Sequence, residues 1–191
     1  MSDSRISSAG WTTSDVLPSR TARRVIGVAV FAIATAISAK ISLPLPGTPV
    51  PFTFQPMVVM LAGALLGARL GAASQIAYLA MGLAGLPVFV AGGGAAYLLG
   101  PTGGYLMAYP LAAFVVGSLM APGFARAVVA LLAGLAIIYA GGLAWLSAIG
   151  SFDLAVVWGL QPFVLADLVK VGLAAVIVTR LRDRSLELFA R

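Results

Sequence analysis

The segment Leu61-Ala-Gly-Ala-Leu-Leu-Gly-Ala-Arg-Leu-Gly71 decides how many times this chain is expected to cross a membrane. Gly67, Arg69 and Gly71 interrupt an otherwise apolar stretch, and residues of these types are more typical of a turn than of a continuous apolar helix. A helix that spans a bilayer needs about 20 mainly apolar residues. We therefore predict a short span that ends near Gly67 and another that begins near Leu70.

The composition of the whole chain also favours an integral membrane protein. Of its 191 residues, 61% are apolar and 9% are charged, and the mean hydropathy is +1.04. Soluble domains carry about 25% charged residues. The absence of His and Cys excludes histidine bases, thiolate nucleophiles and metal sites built on these residues. No Gly-Lys dipeptide of an ATP-binding loop is present, so we expect no enzyme, no metal and no cofactor.

Six apolar segments are predicted to span the membrane, in an all-α fold. Their approximate bounds are residues 25–41, 56–67, 70–85, 104–120, 126–149 and 161–181. Residues 23–182 form the predicted transmembrane domain, between polar tails at 1–22 and 183–191. A cleaved signal peptide around Arg23-Arg24 is the alternative for the first segment, but the neighbours of this arginine pair do not match one.

The arginines provide an independent test of the six spans. In this topology all ten lie on one side of the membrane, at positions Arg5, Arg20, Arg23, Arg24, Arg69, Arg126, Arg180, Arg182, Arg184 and Arg191. The connections on the other side contain no Lys or Arg beyond Lys40, near the end of the first span. The positive-inside rule then places both termini in the cytoplasm. The net charge of +6 is explained by topology and does not indicate nucleic-acid binding.

Two connections on the outer side are long and unusual in composition. Residues 43–52 contain four prolines, and residues 85–104 are rich in glycine. Both carry aromatic side chains, and long loops within a compact domain often have a function. We expect them to fold over a cavity that opens outward, the alternative being that they only join helices.

Asp167 and Lys170 are the charged pair that the topology does not require. They are three residues apart in the sixth span, on one face of a helix, where charges are costly and usually face a partner or a cavity. Either the pair neutralises itself and packs the helix, or it anchors a small polar ligand. Lys40 either snorkels to the interface or joins such a site. Further polar groups in or beside the spans are Gln55, Gln75, Gln161, Tyr78, Tyr105 and Tyr109.

Several motifs in the same order resemble the BioY family, the substrate-binding (S) components of biotin transporters of the energy-coupling factor (ECF) type. The resemblance covers residues 24–180. It is sharpest at Pro51-Phe-Thr-Phe-Gln55, the segment Leu61 to Gly71, Gly85-Leu-Pro-Val-Phe89, Leu99-Gly-Pro-Thr-Gly-Gly-Tyr105, and Pro162 followed by Asp167-Leu-Val-Lys170. It implies biotin uptake across the cytoplasmic membrane of a bacterium or archaeon, the alternative being transport of another vitamin-like small molecule.

The resemblance also implies roles for particular residues. Ligand contacts are expected from Asp167, Lys170 and Gln55, with a lid formed by Gly92, Gly93 and Gly94. Apart from the resemblance, we also expect ligand contacts from Tyr78 and Tyr97. The third connection reads Ala95-Ala-Tyr-Leu-Leu99 where many relatives have a polar or basic residue. The biotin carboxylate is therefore left to Lys40, Lys170 or backbone N–H groups.

Partners follow from the same resemblance. Ala32 and Ala36 are expected to meet a transmembrane coupling subunit, which acts with two ATPase subunits. The sequence leaves open a homo-oligomer that works without them. No nucleic-acid partner is expected.

Overall fold

The computed structural model describes residues 19–189, which are mainly helical. In chain order the elements are α1 (Arg20–Lys40), β1 (Ser42–Leu43), β2 (Phe52–Thr53), α2 (Gln55–Leu66), α3 (Ala68–Leu83), α4 (Ala95–Leu98), α5 (Gly103–Leu119), α6 (Phe124–Ile149), α7 (Phe152–Gly159) and α8 (Val164–Phe189). Helices α1, α2, α3, α5, α6 and α8 coincide with the six predicted apolar segments. Arg5 and Arg191, which belong to the predicted tails, lie outside the described residues.

Three details of these elements were not predicted. The strands β1 and β2 pair antiparallel, Ser42 with Thr53 and Leu43 with Phe52, which closes the first long connection into a hairpin. Helix α7 occupies the stretch before the sixth predicted segment, where only a loop was expected. Helix α8 continues to Phe189, beyond the predicted end of that segment at residue 181.

The break between α2 and α3 is narrower than the predicted turn. It consists of Gly67 alone, with φ 82° and ψ 170°, a backbone conformation that is open almost only to glycine. The Gly71 amide donates to the Gly67 carbonyl at 2.9 Å, so α3 begins immediately. Arg69 and Gly71 therefore lie in its first turn.

Helix α2 is the central element of the bundle. Its residues Val59 to Leu66 are all buried, and it packs against α1, α3, α5 and α8. A Cβ atom on Gly63 would lie 2.1 Å from the Ala113 carbonyl oxygen, and one on Gly71 would lie 2.6 Å from the Gly63 Cα. The backbones of α5 and α3 thus touch α2 directly. Such close approach is the main source of helix association where lipid removes the hydrophobic driving force.

The outer faces of the helices are apolar, as expected of a membrane protein. Large side chains such as Val25, Ile33 and Ile37 on α1 and Val129 on α6 are about half exposed or more. Among the described residues, α1 and α6 are each long and apolar enough to cross a membrane, and α7 with α8 would make a third span, bent by 53°. Helices α2 and α5 are apolar but shorter.

Several helix ends that carry arginine meet at one end of the bundle. The Arg182 guanidinium, on α8, donates to the Ala64 carbonyl at 3.2 Å and to the Met120 carbonyl at 3.4 Å. These carbonyls lie at the C-terminal ends of α2 and α5 and have no partner within their own helices. Arg182 therefore joins three helices at this end.

The contact at Gly63 can be tested by adding one methyl group. Gly63→Ala should lower the free energy of unfolding by about 1–3 kcal/mol, the usual cost of overpacking, because the facing Ala113 carbonyl belongs to a helix and cannot rotate away. Gly172→Ala, on α8, is the matched control, since nothing lies within 4 Å of a Cβ there. Thermal unfolding in detergent measures both. Equal midpoints for the two variants would contradict the close approach of α2 and α5.

Candidate ligand-binding site

A cavity lies at the end of the bundle where α2 begins. It is bounded by the β1–β2 hairpin, the connection from α3 to α5, and the break between α7 and α8. The lining residues are Val50, Pro51, Phe52, Thr53, Gln55, Pro56, Tyr78, Phe89, Val90, Tyr97, Thr102, Tyr105, Leu106, Tyr109, Ile138, Tyr139, Gly159, Phe163, Asp167 and Lys170. The space between these atoms, counted together with its open mouth, is about 580 Å³.

Asp167 and Lys170 form a buried ion pair in the cavity wall. The Lys170 ammonium lies 2.7 Å from a carboxylate oxygen of Asp167, and the two residues are only 4% and 3% exposed. Because α8 starts at Val164, Asp167 lies in its first turn, where the helix dipole stabilises a negative charge. The pair was correctly expected to meet on one helix face.

Lys170 also holds the β1–β2 hairpin against α8. Its ammonium donates to the Thr53 carbonyl at 2.6 Å and lies 3.8 Å from the centre of the Phe52 ring, within the range of a cation–π contact. With Asp167, these contacts account for the three N–H groups of the ammonium. Lys170 therefore has a structural role as well as a place in the cavity wall.

Tyr139 was missed by the sequence analysis. Its hydroxyl, on α6, donates to the second carboxylate oxygen of Asp167 at 2.5 Å. Each oxygen of Asp167 thus accepts one hydrogen bond and keeps further lone pairs. The indication in the sequence was Asp167, because a carboxylate buried among apolar helices needs more hydrogen-bond donors than one lysine provides.

A second polar group in the wall pairs Gln55 with Tyr78. The Gln55 amide donates to the Tyr78 hydroxyl at 2.7 Å, and the hydroxyl donates to the Val88 carbonyl at 3.4 Å. Gln55 is the first residue of α2 and Tyr78 lies on α3, so the pair joins the two helices below the α3–α5 connection.

Aromatic rings cover much of the rest of the cavity. The Phe89 ring stacks on Tyr97 with 4.9 Å between centroids and meets Tyr78 edge-on at 5.6 Å. The Tyr105 hydroxyl donates to the Gly159 carbonyl at 2.8 Å, which attaches α7. A cavity with aromatic walls and a few fixed polar groups suits a small ligand that is partly apolar and partly hydrogen-bonding.

The structure brings together five of the predicted ligand-contacting residues and leaves others outside. The cavity wall includes Asp167, Lys170, Gln55, Tyr78 and Tyr97. The run Gly92, Gly93 and Gly94 does not line the cavity but shapes the segment that carries Phe89 and Val90. A Cβ on Gly93 would lie 2.1 Å from the Leu86 carbonyl oxygen, and Gly92 and Gly94 have φ of 136° and 95°.

Two of the predicted polar residues and both alanines lie away from the cavity. Gln75 is buried between α1 and α3, where its side-chain oxygen accepts from the Thr35 hydroxyl at 3.3 Å, and Gln161 is exposed. Ala32 is 1% exposed, and Ala36 packs on the same interior cluster. In this conformation both alanines face the interior of the chain, and their contact with a coupling subunit stays a prediction.

Comparison with known proteins identifies the family. The model of the BioY family matches residues 9–186, a range that contains the whole cavity. The chain belongs to the BioY family. The probable biotin transporter BioY of Pyrococcus horikoshii is 41% identical over 165 residues, which cover 86% of this chain and 99% of that protein. The biotin transporter BioY of Thermotoga maritima is 40% identical over 169 residues, with the same two coverages.

A solved structure supports the BioY assignment at the level of the fold. The crystal structure of the S-component for biotin from an ECF-type ABC transporter superposes with a TM-score of 0.80 at 30% identity. The superposition covers 95% of this chain and 100% of that one.

The buried pair of this BioY protein can be tested by removing one charge and then both. Lys170→Met should lower the free energy of unfolding by about 3 kcal/mol, because it leaves the Asp167 carboxylate buried without its ammonium. Asp167→Asn combined with Lys170→Met should recover most of that loss. Arg184→Met, which removes an exposed charge from the same helix, is the control and should change little. Thermal unfolding in detergent measures all three. A double variant no more stable than Lys170→Met would contradict the pairing.

Proposed function

We propose that this chain captures biotin from outside the cell and serves its uptake, as the S component of an ECF-type transporter. It acts as a transporter subunit rather than an enzyme. The observation that carries the proposal is the aromatic cavity with the Asp167–Lys170 pair in its wall, in a chain that belongs to the BioY family. Biotin is inferred as the ligand because the relatives from Pyrococcus horikoshii and Thermotoga maritima are a probable biotin transporter and a biotin transporter.

The chemistry of biotin matches the groups in this wall. Its fused rings are apolar on their faces, and its ureido group offers two N–H donors and a carbonyl acceptor. Asp167 keeps lone pairs that accept N–H groups, while Phe52, Tyr78 and Phe89 provide surfaces for the rings. The aliphatic chain and its carboxylate then extend toward the mouth.

We also propose that the six long helices cross the cytoplasmic membrane, with both termini in the cytoplasm. Arginines occur at the start of α1 and α6, at the α2–α3 break and at the end of α8. Arg182 connects the last of these to the ends of α2 and α5. The cavity lies at the start of α2, about 18 Å away along its twelve residues. The positive-inside rule then places the cavity on the outer side.

The partners proposed for this chain are a transmembrane coupling subunit and two ATPase subunits. They are inferred from the description of the matching structure as part of an ECF-type ABC transporter. A second candidate function, uptake of another vitamin-like molecule, keeps the same architecture and changes only the ligand. Competition of such molecules with labelled biotin separates the two candidates.

Binding to the purified chain tests the proposal directly. Labelled biotin should bind in detergent with a saturable sub-micromolar Kd. The absence of saturable binding in that range, in a sample that unfolds cooperatively on heating, would reject biotin as the ligand.

The role of Asp167 can be tested by a change that keeps its shape. Asp167→Asn should weaken biotin binding by a factor of about 10–100, the equivalent of about 1.4–2.8 kcal/mol, because it removes the charge that accepts N–H groups from the ligand. Asp153→Asn is the matched control, since Asp153 is exposed on α7, and its Kd should stay that of the unchanged chain. Equal affinities for both variants would reduce the Asp167–Lys170 pair to a structural one.

A further inference from the structure

Lys40 makes an unexpected contact with the connection above the cavity. It is the last residue of α1, and its ammonium donates to the Phe89 carbonyl at 2.6 Å and to the Val90 carbonyl at 3.4 Å. These acceptors lie 49 and 50 residues further along the chain. The lysine therefore ties the end of α1 to the α3–α5 connection, in addition to any snorkelling toward the interface.

The residues that Lys40 holds form a small closed turn. The Phe89 amide donates to the Gly92 carbonyl at 2.9 Å, and the Gly92 amide donates to the Phe89 carbonyl at 3.3 Å. We call residues 89–92 the Phe89 turn. The Phe89 carbonyl thus accepts from both the Gly92 amide and the Lys40 ammonium.

The Phe89 turn forms part of the cavity roof. Phe89 is 0% exposed and lines the cavity together with Val90. Its ring fills the space over Gly82, where a Cβ would lie 2.0 Å from the ring. Lys40 itself does not line the cavity. It contacts the backbone carbonyls of Phe89 and Val90, the two residues of the turn that line the cavity.

We propose that Lys40 is a positioning residue that holds the Phe89 turn closed over the cavity and does not touch the ligand. Among the described residues, Tyr78 and Trp145 also donate to this connection from long helices, to the Val88 carbonyl at 3.4 Å and the Gly100 carbonyl at 2.9 Å, but both acceptors lie outside the Phe89 turn. The connection contains Gly85, Gly92 and Gly94 at positive φ and belongs to no long helix. Within the described residues, Lys40 is the side chain that donates to the Phe89 turn itself, and its ammonium restrains the turn through two carbonyls.

A direct contact of Lys40 with the ligand and a restraint on the Phe89 turn would affect a bound ligand differently. A lysine that bound the ligand carboxylate would matter only for a charged ligand. A lysine that holds the turn closed slows the escape of any ligand below it. This distinction rests on biotin being the ligand, as proposed above, but the closure of the turn can be measured without it.

The first experiment measures closure in the absence of ligand. The chain contains no Cys, so Val88→Cys introduces a single thiol at a position that is 9% exposed beside the turn. Lys40→Met should increase its rate of alkylation by a water-soluble maleimide about five- to tenfold, the range expected for loss of one ordinary hydrogen bond. Lys40→Arg, which keeps the charge and the donors, should restore most of the protection.

Ala91→Cys is the matched control, because Ala91 is exposed in the closed turn and its alkylation should not depend on residue 40. An alkylation rate of the Val88→Cys thiol that Lys40→Met leaves unchanged would overturn the proposal.

The second experiment uses the chain without added cysteines. Lys40→Met should raise the dissociation rate of labelled biotin about five- to tenfold with little change in its association rate, and by the same factor for the uncharged biotin methyl ester. An effect on biotin that vanishes with the ester would show a direct contact with the carboxylate and overturn the positioning role. If the unchanged chain binds no biotin, the proposed function fails, while the alkylation rates still decide the role of Lys40.

Discussion

The contact of backbones at Gly63 is the constraint on which the rest of this structure depends. Helices in lipid gain little from burying apolar side chains, so they associate through close packing. The Ala113 carbonyl occupies the space that a side chain at Gly63 would fill, and the Gly63 backbone occupies the space that a side chain at Gly71 would fill. Helices α5 and α3 are thereby fixed on two sides of α2. The burial of α2 from Val59 to Leu66 follows from that arrangement.

The cavity takes its shape from the same packing. Gln55 is the first residue of α2, so the packing of this central helix fixes its position. Its side-chain amide donates a hydrogen bond to the Tyr78 hydroxyl on the adjacent α3. Asp167 lies in the first turn of α8 because the chain breaks between α7 and α8. The lower wall of the cavity therefore belongs to long packed helices. The roof consists of the hairpin, which Lys170 attaches to α8, and the α3–α5 connection, which Lys40 attaches to the end of α1.

Properties set by local composition could be predicted from the sequence. Apolar runs gave the positions of six long helices, and the spacing of Asp167 and Lys170 gave their contact on one face. Contacts between distant segments could not be predicted in this way. Nothing near Tyr139 indicates that it reaches Asp167 on another helix, and nothing near Lys40 indicates carbonyl acceptors 49 residues away. Helix α7 escaped notice because its eight residues are too few for a span. The length and composition of the two long connections predicted that they cover a cavity, and residues of both line it.

Stability alone does not explain why two charged residues, Asp167 and Lys170, are buried at this position. Removing two charges from water costs several kcal/mol for each, and apolar residues of similar volume often stabilise a protein as well or better. Here the pair lies where a ligand space begins, and its ammonium is already occupied by Thr53, Asp167 and Phe52. The carboxylate alone keeps acceptor capacity, since each oxygen accepts one bond. Lys170 thus neutralises and orients the carboxylate, and the role we propose for Asp167 is to recognise N–H groups of the ligand. A buried pair arranged in this way could bind a neutral polar group without adding to the charge enclosed in the membrane.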